Sequence, residues 1–169
     1  MVRVVRFIKI ISLIAFLFIL SLTYYDTSDK GEQIALYFAK AQSADAYSIE
    51  KNMYFYANAI FVLLLNFLIS MAITVLRNFP LEMLSFPQKK YWTATPQHRK
   101  ELYSFLENWC NVLAIAMNIF MMLLLYHIWQ INRNLQGSQE SYLLYVILLI
   151  VIVSTWALFL PIRLLFKKS

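Results

Sequence analysis

Glycine and proline are scarce in this chain, at two and four residues out of 169. That scarcity excludes a loop-rich or low-complexity polypeptide. Cys110 is the single cysteine, so an intramolecular disulfide is excluded, and its place near a helix end reads as a small apolar residue. Charged residues make up 14%, against about 25% in a soluble domain. His98 and His127 are the only histidines. They leave no His/Cys cluster or H-E-x-x-H for a metal, and no paired carboxylates offer acid–base chemistry. What is present is apolar: 61% hydrophobic residues and a mean hydropathy of +0.60.

The apolar residues fall into four runs, roughly 8–25, 54–76, 109–131 and 142–163. Each is long enough to cross a hydrocarbon core of about 30 Å as a helix. The connections, an outer one at 26–53 and an inner one at 77–108, are too short for a second globular domain. The expectation is one all-α membrane domain over 1–169.

The net charge of +6 would suit nucleic acid, but its distribution argues against that partner. Eleven of the fifteen basic residues alternate onto one side. They are Arg3, Arg6 and Lys9, then Arg77, Lys89, Lys90, Arg99 and Lys100, then Arg163, Lys167 and Lys168. Lys30, Lys40, Lys51 and Arg133 fall on the other. This is the positive-inside pattern, and it puts both termini in the cytoplasm. The N-terminus has the basic start of a signal peptide, but Leu22-Thr23-Tyr24-Tyr25-Asp26 offers no small-residue cleavage site, so it is read as span one.

Span one ends on Tyr24-Tyr25, suited to an interface, and Lys9 is close enough to the inner end to snorkel. In the outer connection Ile34, Leu36 and Phe38 alternate with Ala35 and Tyr37, a short strand signal that a helical turn also fits. Ser43–Asp45 reads as a turn, and Ser48 as an N-cap for span two. In span two Asn66, Ser70 and Thr74 are spaced by four, a polar stripe on one face. In the inner connection Pro87 forces an extended or turned chain before it. Tyr91-Trp92 suits the interface, with Lys89 and Lys90 near lipid phosphates, and His98 is solvated. Thr95-Pro96 is an N-cap and first-turn pair. Leu102, Phe105, Leu106 and Trp109 then make an apolar stripe, so a short interfacial helix should run into span three. Pro161 falls near the inner end of span four, where a break is tolerable.

Phe86-Pro87-Gln88-Lys89-Lys90-Tyr91-Trp92, then Pro96 and Arg99, resembles the inner-loop pattern N-L-P-N-K-x-Y-W-x-x-P-x-x-R. That pattern belongs to an uncharacterised bacterial family of small four-span membrane proteins. The family also carries an extracytoplasmic segment V-x-x-H-F-N/D-x-x-G-x-x-D, which occurs too in immunity proteins of the sporulation-delaying toxin type. Ile34-Ala35-Leu36-Tyr37-Phe38 and Ala44-Asp45-Ala46-Tyr47-Ser48 correspond to it here, with Tyr37 in place of the His and no Gly. His127 and Asn132 match a His and an Asn at the end of the family's third span. The resemblance implies four spans in a bacterial inner membrane and singles out Pro87, Lys89, Tyr91, Trp92, Pro96 and Arg99 as an interface for a partner or a rigid lid under the bundle. His127 is a further, weaker candidate, most simply an interfacial histidine.

No Asp or Glu lies inside any run, so a carboxylate relay for protons or cations has no members. The polar residues that do lie inside share a depth. Asn66 is ten residues before position 76, Asn118 nine after 109, and Ser154 nine before 163. At 1.5 Å per residue each is about 14–15 Å from the inner boundary. An amide facing lipid is costly, so Asn66 and Asn118 should contact each other or share Ser154 or Thr155. With no catalytic residues, metal ligands or cofactor site in view, the expected function is a non-enzymatic membrane accessory protein. It would modulate a larger membrane complex or confer immunity to a membrane-active agent, with membrane lipids and another membrane protein, or a second copy, as partners. A small transporter or channel is the alternative.

Overall fold

The computed structural model describes residues 2–26, 32–38, 46–80, 83, 86–134 and 139–166. Their order is α1 (Val2–Asp26), β1 (Gln33–Phe38), β2 (Ala46–Glu50), α2 (Lys51–Asn78), α3 (Lys89–Ala94), α4 (Pro96–Asn134) and α5 (Gln139–Phe166). α1, α2, α4 and α5 are each long and apolar enough to cross a membrane. The protein is an integral, multi-pass membrane protein.

α4 is the axis of the bundle. Its 39 residues span about 58 Å at 1.5 Å per residue, well beyond a hydrocarbon core of about 30 Å. The helix expected to lead into span three is therefore the first part of α4, unbroken from Pro96. Thr95 caps it, accepting from the His98 N–H at Oγ1 (3.2 Å) and from the Arg99 N–H at its carbonyl (3.1 Å). α1 runs parallel to α4, since Arg6 meets Glu107 near one end and Asp26 meets Trp129 near the other. α2 and α5 run antiparallel to it.

One end of the bundle carries Arg6, Arg77, Arg99 and Lys100 and is called the basic end. The other carries an antiparallel hairpin, β1 with β2, which pairs Gln33 with Glu50 and has an irregularity between Ala35 and Tyr37. The apolar alternation at 34–38 is thus strand, not a helical turn. The Asn132 side-chain amide of α4 completes the sheet edge. Its Oδ1 accepts from the Ala35 N–H and its Nδ2 donates to the Ala35 carbonyl, both at 2.9 Å. Ile34 is buried on the same core. Ser48 lies in β2 and bonds Gln33 Oε1 (2.8 Å) rather than capping a helix. Instead the Lys51 N–H continues the ladder to the Glu32 carbonyl (2.9 Å), and α2 starts there. The turn expected at Ser43–Asp45 lies outside the described residues.

Packing divides by level. Phe16, Val62, Phe120, Met121 and Leu125 fill the half toward the hairpin. Ile69, Ile73, Cys110 and Ala114 join α2 to α4 nearer the basic end. At the basic end Trp92 of α3 is inserted among Leu102, Leu106 and Leu164. Pro161 is accommodated inside α5, which continues to Phe166.

A polar seam among three spans

Arg6, Lys9 and Ser12 recur every three residues and so lie on one face of α1. That face meets Asn66, Ser70 and Arg77 of α2 and Glu107 and Asn118 of α4. Glu107 is almost fully buried and holds both arginines, Arg6 at one carboxylate oxygen and Arg77 at the other (2.5 Å). Two guanidinium groups on one carboxylate leave the cluster net positive. Both arginines are half exposed, which keeps their desolvation small.

One turn deeper the Lys9 ammonium donates to Ser70 Oγ (2.8 Å). Lys9 is buried, so it points into the bundle instead of snorkelling outward. The hydroxyls pass the connection on: Ser70 donates to the Asn66 carbonyl and Ser12 to the Lys9 carbonyl, both at 2.8 Å. The seam ends on Asn118, which is 0% exposed. Asn66 Nδ2 donates to Asn118 Oδ1 (2.7 Å), and Asn118 Nδ2 donates to Ser12 Oγ (2.9 Å). Above this pair the core is the apolar packing around Phe16 and Val62.

Asn66 and Asn118, expected at one depth, do meet, but their third partner is Ser12 of α1. Ser154 and Thr155 are exposed on α5 and take no part. Equal depth says nothing about rotation about the helix axis, and on a span apolar all round the sequence does not mark the inward face. Thr74, the last of the α2 stripe, is exposed and bonds only its own helix, at the Ser70 carbonyl. The sequence does not mark Glu107 as a span residue, because it lies two residues before the apolar run of span three. The signal was there: an acid one turn from Tyr103 and Cys110, beside the stripe of Leu102 and Leu106. Asn111, also buried, donates to the Glu107 carbonyl (2.9 Å), and its Oδ1 has no partner among the described residues.

The inner-connection residues form a separate cluster. Gln88 takes a left-handed backbone (φ 54°), and its side chain donates to the Leu165 carbonyl (2.8 Å). The turn through Pro87 places Lys89 at the start of α3. Trp92 is 3% exposed and so is enclosed by protein rather than held at an interface. The Tyr91 ring stacks on His98 at 4.2 Å, and His98 Nδ1 donates to the Tyr91 carbonyl (3.0 Å), so His98 is packed rather than solvated. Arg99 Nε donates to the Thr93 carbonyl (3.1 Å), tying α4 back to α3 across Pro96. His127 sits apart, against the Tyr145 ring at 4.6 Å.

Trp109 and Trp156 are a contact that the sequence did not reveal. Their rings stack at 3.8 Å and 10°, and each indole N–H donates to the other's backbone carbonyl (2.9 and 2.8 Å). Among the described residues, no group of three His, Cys, Asp or Glu is placed to hold a metal. No family model, curated protein or solved structure matches this chain.

Proposed function

We propose that this chain is a non-enzymatic accessory protein of the cell membrane. It associates with a larger membrane complex, or protects against a membrane-active agent as the immunity proteins that share the resembled family's extracytoplasmic segment do. The observation that supports this is the closed end of the polar seam. The seam enters from the basic end and stops at Asn66, Asn118 and Ser12, under the packed side chains of Phe16 and Val62. Polar groups that satisfy one another beneath an apolar plug set the register of three helices and do not mark a path for a solute. The enclosure of Trp92 and the ties from Gln88 and Arg99 also favour a rigid inner connection that can serve as a docking face.

The proposed setting is a bacterial cytoplasmic membrane with both termini inside, which the concentration of arginine and lysine at the basic end supports. In a Cys110→Ala background, Ser138→Cys should react with an impermeant thiol reagent in intact cells and Ser169→Cys should not. The reverse pattern would invert the orientation. For the accessory role, purification in mild detergent followed by mass spectrometry should return a reproducible larger partner.

A second reading, a small transporter or channel, draws on one observation: Lys9 is an ionisable group buried inside a span. Solute or proton flux in liposomes that Lys9→Met abolishes would favour it over the accessory role.

A further inference from the structure

Beside the seam, at the basic end, an open pocket of about 450 Å³ lies between the last turn of α2 and the first turns of α4. Arg77, Arg99, Lys100, Tyr103, Ser104 and Glu107 line it. The Glu107 carboxylate is already taken by Arg6 and Arg77, so it does not neutralise Lys100. Lys100 is exposed and forms no ion pair among the described residues. The pocket also faces the start of a 39-residue helix, whose dipole adds positive potential there. The Tyr103 hydroxyl donates to the Phe79 carbonyl (3.0 Å), which holds the chain leaving α2 against the rim.

A second hollow lies among α2, α4 and α5. It is an apolar groove of about 590 Å³ whose lining includes Leu76, Trp109, Cys110, Leu113 and Trp156. Leu76 is the neighbour of Arg77 on α2, and Cys110 lies one turn from Glu107 on α4. The charged pocket therefore stands at the end of a span, and the apolar groove lies within it, on neighbouring positions of α2 and α4. A small inorganic anion would use only the first. A molecule with a phosphate and an acyl chain would use both.

We propose that this is a binding site for an anionic phospholipid: its phosphate between Lys100, Arg99 and Arg77, and an acyl chain in the groove floored by Trp109. The site stands independently of the accessory reading, because it needs only that the helices span a bilayer. Clusters of basic residues at the end of a span recognise acidic headgroups by the same electrostatics.

The test uses the full chain in a neutral detergent, with thermal unfolding followed during titration by phosphatidylglycerol, phosphatidylcholine or inorganic phosphate. Phosphatidylglycerol should stabilise the protein at concentrations several-fold below those of phosphatidylcholine. Lys100→Gln should raise the half-saturating phosphatidylglycerol concentration about fivefold, the effect of one basic residue near an anionic surface. Its unfolding temperature without lipid should be unchanged, because Lys100 is exposed. Arg99→Gln with Lys100→Gln should raise it further. Equal stabilisation by the two phospholipids, or a Lys100→Gln curve that overlays the parent, would overturn the site. Inorganic phosphate that matches phosphatidylglycerol and shares its Lys100 dependence would overturn the lipid as occupant and leave a site for free phosphate.

Discussion

α1 and α5 are both apolar spans, and they are used in opposite ways. Every third or fourth residue of α1 from Lys9 onward is buried: Lys9, Ser12, Phe16 and Leu20. Of the described side chains of α5, Leu164 alone is buried. Its apolar window is the more exposed although it holds Ser154, Thr155 and Trp156. The difference teaches what orders helices where lipid replaces water. Lipid tails solvate leucine as well as another helix does, so apolar area does not choose a partner. α1 is placed by polar groups with partners on two other helices. α5 is held by a tryptophan clasp in its middle and by Leu164 at its end.

That contrast can be broken most severely at Trp92, which packs against Leu164. Trp92→Ala should cost about 3 kcal/mol or more, as loss of a buried aromatic does. Thermal unfolding should fall, and limited proteolysis should begin near the C-terminus as the end of α5 loses its seat. Unchanged unfolding would mean that α3 is an ornament of the bundle. The matching lesion on the α1 side is Glu107→Gln. Breaking a buried ion pair costs about 3–5 kcal/mol. Here the half-exposed arginines turn to water, and about 1–2 kcal/mol is expected. Cysteines introduced in pairs across α1 and α4 should then cross-link less efficiently near Arg6, while pairs across α4 and α5 should be unaffected.

Trp156→Ala should sharpen the comparison from the other side. It removes one stacked ring and one indole hydrogen bond, together about 1–2 kcal/mol. The loss should appear as freer α5 cross-linking with α1 unmoved. Trp156→Phe restores a ring without the N–H and separates the two contributions. Asn118→Leu should cost about 0.6–2 kcal/mol, the range for hydrogen bonds between spans. Its effect should be a loosened register of α1 against α2 rather than loss of fold. Ser154→Ala should fall within about 0.5 kcal/mol of the parent, as surface changes do. A larger loss in unfolding measurements would show that something in the membrane covers that face of α5.

The four spans, their boundaries to within a few turns, and the shared depth of Asn66 and Asn118 were legible because length and rise per residue are properties of one helix. So was the cap at Thr95, whereas the alternation at 34–38 fitted a strand and a helical turn alike, and pairing with β2 decided it. The third partner of the polar pair was not legible, because Ser12 and Ser154 are equally good hydroxyls and only packing chooses between them. Lys9 could snorkel or turn inward, and the decision rests with Ser70 on another helix. Trp109 and Trp156 each read as one aromatic in an apolar run, since a stack exists only between two runs.

By itself the sequence determined that this protein lives in a membrane, how many times it crosses, and how far along its helix each polar residue lies. Hydropathy, charge and helix rise act along one chain and need no neighbour. The tertiary structure alone decided which face of each span turns inward. It joined Glu107 to two arginines, set Lys9 on Ser70, and left α5 nearly bare. Those outcomes depend on rotation about the helix axis, and in an apolar solvent rotation is settled by the few polar and aromatic groups that find each other across helices.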